Sequence, residues 1–278
     1  MARGRGALVC AVVAGIVAVT SATAAPQKQH RAPLTFRWPT SVVVRSSYSL
    51  LVVENGGETA PGRVVRVNVG TGKRALVLEA DGAYALARAP SGAIYLSAGT
   101  TLLRLGRGGS TTTVAEADED IGPVAVAANG DVFYTTSTAA WRLAGGAGTP
   151  EQVASGLANP HGLAVTFDGG LLVGDTDNGQ VKRIDLGTSA VETWGSFQAP
   201  RGIAITADGQ SAYVADGATR RVVRVRIDGL RLGVVKHRFS DPYAVAVTPH
   251  GSVYVVDTAE AGHVYRVGWN RTITSVSR

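Results

Sequence analysis

Apolar residues recur along this chain in short runs separated by glycine turns, and one arrangement of runs repeats about every forty residues. Each unit has an apolar strand with a central alanine, a turn ending in glycine, a second apolar strand and, in several copies, an aspartate. The clearest copies are PHGLAVTFDGGLLVGD (160–175), PRGIAITADGQSAYVAD (200–216) and DPYAVAVTPHGSVYVVD (241–257). Short β-branched and aromatic runs between Gly, Asp and Asn turns predict an all-β chain.

Two markers count the units independently. In five units an alanine lies five residues before the turn glycine: Ala87 and Gly92, Ala125 and Gly130, Ala164 and Gly169, Ala204 and Gly209, Ala246 and Gly251. In all six units a third apolar strand carries arginine before its last apolar residue: Arg66, Arg104, Arg142, Arg183, Arg224 and Arg266. Six units of four antiparallel strands predict a six-bladed β-propeller over residues 34–278. A parallel β-solenoid is the alternative. Either residues 34–38 or the C-terminal segment TITSVS completes the last blade.

The N-terminus has the pattern of an export signal. Arg3 and Arg5 precede an apolar run over residues 7–19, and Ala22-Thr23-Ala24 matches a cleavage site. We expect a signal peptide over residues 1–24 and a polar linker over 25–33, with a retained N-terminal anchor as the alternative. The apolar run is shorter than the roughly 20 residues that a membrane span needs, so we expect no span after cleavage. The protein is then secreted or associated with the cell envelope.

Composition limits the chemistry further. The only cysteine, Cys10, lies within the predicted signal peptide, so the mature chain has no disulfide and no sulfur-bound metal. The 27 Lys and Arg residues against 21 Asp and Glu are spread along the chain, and no basic cluster favours nucleic acid. We expect a monomer whose partner is a protein, a peptide or a small molecule.

The segment NPHGLAVTFDGGLLVGDTDNGQVKRID (159–185) resembles the NHL repeat. It has that family's Pro-x-Gly start, Asp-Gly turn, Asp-x-x-Asn turn and arginine in the third strand. The resemblance extends over about residues 39–278 and weakens toward the N-terminus. It implies the propeller fold and leaves the function open, because this fold carries enzymes as well as binding modules.

Blade periodicity also predicts a ring of residues where the first strands begin, at one mouth of the central channel. Aligned on the marker alanines, the ring consists of Thr40, Tyr84, Gly122, His161, Arg201 and Tyr243. Arginine can donate two parallel hydrogen bonds to a carboxylate, and tyrosine offers a flat aromatic surface. The ring therefore predicts a site for an acidic or planar ligand. A plugged channel, in which these side chains bond to neighbouring loops, is the alternative. Asp168, Asp208 and His250 lie in turns on the opposite face and are not expected in the site.

Enzymes of similar fold offer a second interpretation. ADGQSAYVAD (207–216) resembles the gluconolactonase-type (SMP-30) propellers, which implies a divalent cation held by carboxylates and asparagine. The predicted ring has none of these, and the nearest candidates are Glu54, Asp120, Asn159 and Asp241. A likeness to virginiamycin B lyase-like propellers implies His161 as a general base.

The sequence therefore favours an exported binding module over a propeller hydrolase or lyase at the same mouth. No cofactor is expected, and a Ca²⁺ ion is left open. The recurring Asp175, Asp216 and Asp257 are predicted to fix each blade's second-to-third turn and to neutralise the third-strand arginines.

Overall fold

The strands assemble blade by blade. The computed structural model describes residues 35–57, 60–259, 261–268 and 273–276. In this part of the chain six antiparallel sheets each contain four strands that are consecutive in sequence, which is a six-bladed β-propeller as the repeats predict. The predicted signal peptide (1–24) and linker (25–33) lie outside the described residues. Among the described residues, no helix has the length and apolar character to cross a membrane.

In chain order, each blade contributes a first, second, third and fourth strand. The first strands are β1 (Pro39–Ser46), β5 (Ala83–Arg88), β9 (Val124–Val126), β13 (Gly162–Val165), β17 (Pro200–Ile205) and β21 (Pro242–Val247). The second strands are β2 (Ser49–Glu54), β6 (Ile94–Ala98), β10 (Val132–Thr135), β14 (Gly170–Asp175), β18 (Ser211–Asp216) and β22 (Val253–Asp257). The third strands are β3 (Arg63–Asn68), β7 (Thr101–Leu105), β11 (Ala139–Leu143), β15 (Gln180–Asp185), β19 (Arg221–Arg226) and β23 (His263–Val267). The fourth strands are β4 (Arg74–Glu79), β8 (Thr111–Glu116), β12 (Glu151–Ser155), β16 (Val191–Ser196), β20 (Arg231–Val234) and β24 (Ile273–Ser275).

Burial explains why the second strands are almost continuously apolar. Every residue of β10 and β14 is buried, because these strands are covered on both faces by the adjacent blades. The described residues form six hydrophobic clusters, each between two neighbouring blades. In one of them Leu172 and Val181 of blade 4 pack with Val214 and Val223 of blade 5. Stability thus comes from blade-to-blade packing rather than from one central core.

The ring closes through the first strands and the C-terminus. Each first strand contacts those of both neighbouring blades, including β1 against β21. Strand β24 pairs with β23 and completes blade 6, which answers the question of the last strand in favour of the C-terminal segment. Phe36 instead forms an isolated bridge with Gly262, with N–H···O distances of 2.8 Å in both directions. Its buried ring joins the cluster between blades 1 and 6.

In blades 3 to 6 the third-strand arginine bonds to the turn between the first and second strands of its own blade or to the residue that follows this turn. Arg142 pairs with Asp131 at 2.7 Å and Arg183 with Asp168 at 2.8 Å. Arg224 and Arg266 instead donate to serine hydroxyls, those of Ser211 and Ser252, at 3.3 and 3.1 Å. In these four blades the arginine is therefore a structural brace on the lower face, the face that carries these turns.

Two of the carboxylates at the ends of the second strands bond into the second-to-third turn as predicted: Asp175 accepts from the Asn178 amide at 3.0 Å and Asp216 from the backbone N–H of Thr219 at 3.5 Å. They also have a second role. Asp175 accepts from the backbone N–H of Ala158, and Asp257 accepts from Ser240 and Asp241. Asp216 likewise accepts from the chain that leads into its own blade, at Gln198 and Ala199. These buried carboxylates hold the crossover from the preceding blade, and none of them forms an ion pair with a third-strand arginine within the described residues. The prediction that they neutralise those arginines is wrong.

Candidate functional site

The six predicted ring residues lie together at the upper mouth, on the face of the crossovers and second-to-third turns. Thr40, Tyr84, Arg201 and Tyr243 stand near the beginning of their first strands, and His161 directly precedes β13. The Thr40 hydroxyl donates to the carbonyl of Tyr84 at 2.6 Å and so links blades 1 and 2. Whether these residues bind a ligand stays a prediction.

Three aromatic rings from alternate blades close this mouth. Tyr84 of blade 2, His161 of blade 4 and Tyr243 of blade 6 have ring centroids 5.6 to 6.2 Å apart. The hydroxyls of Tyr84 and Tyr243 are 2.7 Å apart, and the Tyr243 hydroxyl lies 3.3 Å from Nδ1 of His161. A void of only about 70 Å³ lies beside these side chains in the upper channel. We call these three residues the aromatic plug. Their mutual contacts match the closed-channel alternative, and the predicted binding of a ligand by the ring stays a prediction.

Both nitrogens of His161 are engaged in this network. Its Nε2 lies 2.9 Å from the side-chain oxygen of Asn159, so Nε2–H is the donor and Nδ1 accepts from Tyr243. Burial and the neighbouring Arg201 lower the pKa of His161, against a smaller opposing effect of Asp177. The ring is therefore neutral at pH 7. To act as a general base it would first have to give up its bond to Tyr243.

Asn159 has a left-handed backbone conformation, which asparagine adopts more readily than most residues other than glycine. Its φ of 50° is in the left-handed region, where residues other than glycine are uncommon. The backbone N–H of Asn159 donates to the carbonyl of Ser137 at 2.9 Å, which fixes this conformation against blade 3. Blade 3 thus helps to position the side chain that orients His161.

Arg201 is less available to bind a ligand than the sequence suggests, because its guanidinium group has partners within the fold. Its guanidinium donates to Asp241 at 2.5 Å and lies over the ring of Tyr243, 5.0 Å from the centroid. Its Nε is buried against Gly217, where an added Cβ would come within 2.8 Å of that nitrogen. Asp241 therefore compensates the positive charge of Arg201, which was predicted to bind an acidic ligand.

The four candidate cation ligands do not form a metal site. Glu54 is buried and bonded to Arg63, Arg74 and the backbone N–H of Arg37. Asp241 is held by Arg201, and the Asn159 oxygen by His161. These candidates, with Asp120, belong to different blades. Among the described residues no group of three His, Cys, Asp or Glu side chains is arranged to hold a metal. The residues present do not fit the cation implied by the gluconolactonase resemblance.

An open pocket lies beside the aromatic plug, over blades 1 to 4. It encloses about 480 Å³, a size in the range of ligand pockets. Tyr84 and His161 border it, whereas Thr40, Arg201 and Tyr243 do not. Its other polar side chains are those of Asn55, Glu119, Asp120, Thr136, Ser137 and Asn159. We call this cavity the upper pocket.

Sequence reasoning missed the acidic character of the upper pocket. Glu119 accepts from the backbone N–H and the hydroxyl of Ser137, and hydrogen bonds from Ser137 and Thr136 lower the pKa of Glu119. Asp120 is exposed nearby. The signal in the sequence was the acidic run EADED (116–120), which falls in the crossover between blades 2 and 3.

Comparison with known proteins agrees with this architecture. Residues 157–184, which begin just before blade 4 and end in its third strand, match the model of the NHL repeat. This chain contains an NHL repeat. No curated protein is significantly similar to it in sequence.

Solved structures of similar shape come from proteins with different functions. A gluconolactonase from Xanthomonas campestris superposes with a TM-score of 0.73 at 14% identity, over 88% of each chain. Virginiamycin B lyase from Staphylococcus aureus superposes with a TM-score of 0.65 at 14% identity, over 88% of this chain and 87% of the lyase chain. A chain of the nidogen/laminin complex superposes with a TM-score of 0.70 at 16% identity, over 83% of this chain and 95% of the other. At such identities the similarity shows the propeller fold alone.

Proposed function

We propose that this NHL-repeat propeller is an exported binding module that takes a peptide or protein segment in its upper pocket. The observation that carries the proposal is the open cavity of about 480 Å³ beside a channel mouth closed by its own side chains. The neutral His161 and the paired Arg201 are committed to the plug and to Asp241. The exposed carboxylates of Glu119 and Asp120 carry the negative charge of the upper pocket.

The lining favours a ligand rich in hydrogen-bond donors. Glu119 and Asp120 present negative charge, and Asn55 and Asn159 add side-chain amides. A lysine or arginine side chain of a partner would find charge-assisted acceptors there, and Tyr84 at the border would supply flat contact area. This ligand differs from the acidic one that the ring residues suggested, because Asp241 compensates Arg201.

A peptide-binding measurement tests the proposal. Fluorescence polarisation compares a short labelled peptide containing two lysines with the same peptide containing norleucine. The double variant Glu119→Gln/Asp120→Asn should weaken binding of the lysine peptide about tenfold, and the norleucine peptide should bind poorly to both proteins. Glu79→Gln/Glu192→Gln, which removes two exposed carboxylates from outer strands, is the matched control. Equal affinity of both variants, or of both peptides, would contradict the pocket assignment.

Export is tested separately on the natural N-terminus. We expect the mature protein to begin at Ala25 and to accumulate in the exported or envelope fraction. N-terminal sequencing of the protein from that fraction is the measurement. A chain that still carries residues 1–24 in the membrane fraction would favour the retained anchor instead.

A propeller hydrolase or lyase is the second candidate. The neutral His161 ring at the border of the upper pocket favours it, because a general base must be unprotonated at working pH. Gluconolactone hydrolysis and virginiamycin B cleavage, the reactions that the structural neighbours' names indicate, are the assays. Activity in the wild type that is lost in His161→Gln would support an enzyme, and rates equal to the uncatalysed reaction would reject these two reactions.

A further inference from the structure

The lower end of the channel holds a larger cavity than the upper face. It encloses about 670 Å³ where the first strands of blades 5, 6, 1 and 2 end and the turns to their second strands begin. Its floor consists of apolar channel residues, among them Val42, Val44, Leu86 and Ala246. We call this space the lower cavity. The aromatic plug closes the other end of the channel, so the lower cavity is a separate site from the upper pocket.

The rim of the lower cavity is basic. Arg45 follows the last apolar residues of β1, Arg88 ends β5, and His250 stands in the turn of blade 6. Arg266 also borders the cavity and donates to the hydroxyl of Ser252 at 3.1 Å. Among the described residues no acidic side chain borders it, and Arg45, Arg88 and Arg266 have no carboxylate partner within salt-bridge distance.

This basic rim arises from an asymmetry between the turns of the lower face. The turns of blades 3, 4 and 5 carry carboxylates, Asp131, Asp168 and Asp208, and the first two are paired with third-strand arginines. The corresponding turns of blades 6, 1 and 2 carry His250, Ser46 with Ser47, and Ser91. The arginine brace therefore lacks a carboxylate in blade 6. Arg45 and Arg88 add two further positive charges on the same side.

We propose that the lower cavity binds a small anionic amphiphile, a molecule with a carboxylate, phosphate or sulfate head group and an apolar tail. The guanidinium groups of Arg45 and Arg88 are exposed at the rim and supply forked donors for such a head group. A concave wall of low polarity strengthens the attraction between the rim and an anion. The apolar floor takes the tail, and the volume lies within the range of small-molecule sites.

Isothermal titration calorimetry on the mature full-length chain tests this proposal. The probes are decanoate, butyrate, 1-decanol and decylamine, each below its aggregation concentration. Decanoate should bind at least tenfold more tightly than the other three, because it alone combines an anionic head with a long apolar tail. Its affinity should fall as salt is added, since the head-group contacts lie near solvent. Equal affinity for 1-decanol or for butyrate would overturn the proposal.

Charge variants locate the site. Arg45→Gln/Arg88→Gln should weaken decanoate binding at least tenfold. Arg221→Gln/Arg238→Gln removes the same charge from exposed positions toward the upper face and should leave the affinity unchanged. If both double variants lose affinity equally, the attraction reflects net charge alone and the site is rejected. The result is independent of the peptide measurement, because the two cavities share no lining residue.

Discussion

The two ends of the channel are built from the same six first strands but have opposite character. At the upper end, aromatic side chains from alternate blades bond to one another and close the mouth. At the lower end, the first strands of blades 5, 6, 1 and 2 line a cavity of about 670 Å³ with a basic rim. The side chains of the upper mouth thus have partners within the fold, whereas Arg45 and Arg88 of the lower rim have no ion pair among the described residues, which is the contrast behind the proposed lower site.

The upper face also contains more buried carboxylates, which bind the crossovers there. Glu54, Asp175, Asp216 and Asp257 are all at most 4% exposed and accept backbone hydrogen bonds. Of the turn carboxylates on the lower face, Asp168 and Asp208 are exposed, and Asp131 alone of these three is buried and paired, with Arg142. Substitutions at the upper end should therefore cost more stability than substitutions at the lower rim.

Glu54→Gln should give the largest loss of stability. It leaves the guanidinium groups of Arg63 and Arg74 without their buried carboxylate, at a cost of about 3 kcal/mol in the free energy of unfolding. Urea unfolding at pH 7 measures it. The exposed Glu192→Gln is the control and should change little. Equal losses in the two variants would contradict the structural role of Glu54.

The pH dependence of unfolding provides a second test of the stabilising role of the Glu54 carboxylate. Burial raises the pKa of its carboxyl, but hydrogen bonds from the Arg37 backbone, Arg63 and Arg74 outweigh burial and lower the pKa below the ordinary 4.5. A carboxyl with a lowered pKa in the folded state contributes stability above its unfolded pKa and loses it as pH falls through the folded value. The wild type should therefore lose more stability than Glu54→Gln on acidification below pH 4.5.

Gly162→Ala should give the next largest effect. An added Cβ would lie 1.9 Å from the carbonyl oxygen of Arg201, so the first strands of blades 4 and 5 would have to separate at the upper mouth. We expect a loss of about 2 kcal/mol. Gly187→Ala, where the nearest atom is 3.4 Å away on a side chain, is the matched control. If the two variants unfold at the same urea concentration, the close packing of the mouth is refuted.

Tyr243→Phe should cost less, because it removes one hydroxyl and leaves the ring packing in place. That hydroxyl bonds to Tyr84 and His161, and its loss should destabilise the protein by about 1 kcal/mol. Nitrogen NMR of His161 is the more specific measurement. In the wild type the proton should reside on Nε2, and in the variant this preference should weaken. An unchanged His161 spectrum would show that the plug does not fix the tautomer.

Arg45→Gln/Arg88→Gln should have the smallest effect on stability, within about 0.5 kcal/mol, because both side chains are exposed and make no ion pair within the described residues. Thermal unfolding without ligand measures it. A loss as large as that of Tyr243→Phe would mean that the lower rim is structural and would remove the contrast between the two ends.

Much of the fold could be predicted from the sequence because each blade repeats the same four consecutive antiparallel strands with similar turns. The third-strand arginines marked all six blades, and strand direction placed His161 and Tyr243 on one face. The partners of these side chains could not be predicted. Tyr84 and Tyr243 are 159 residues apart, and their contact depends on how six blades close around an axis. The upper pocket was missed for the same reason, since its lining comes from crossovers of several blades.

The sequence by itself determined the number of blades, the order of their strands and which residues stand at each end of the channel. These follow from local periodicity, since apolar alternation and turn residues act within one repeat. Only the tertiary structure decided that the upper mouth is closed, that Asp241 compensates Arg201, and that the basic rim gathers on blades 6, 1 and 2. These features depend on contacts between blades, where the repeats differ from one another and the closing of the ring sets the distances.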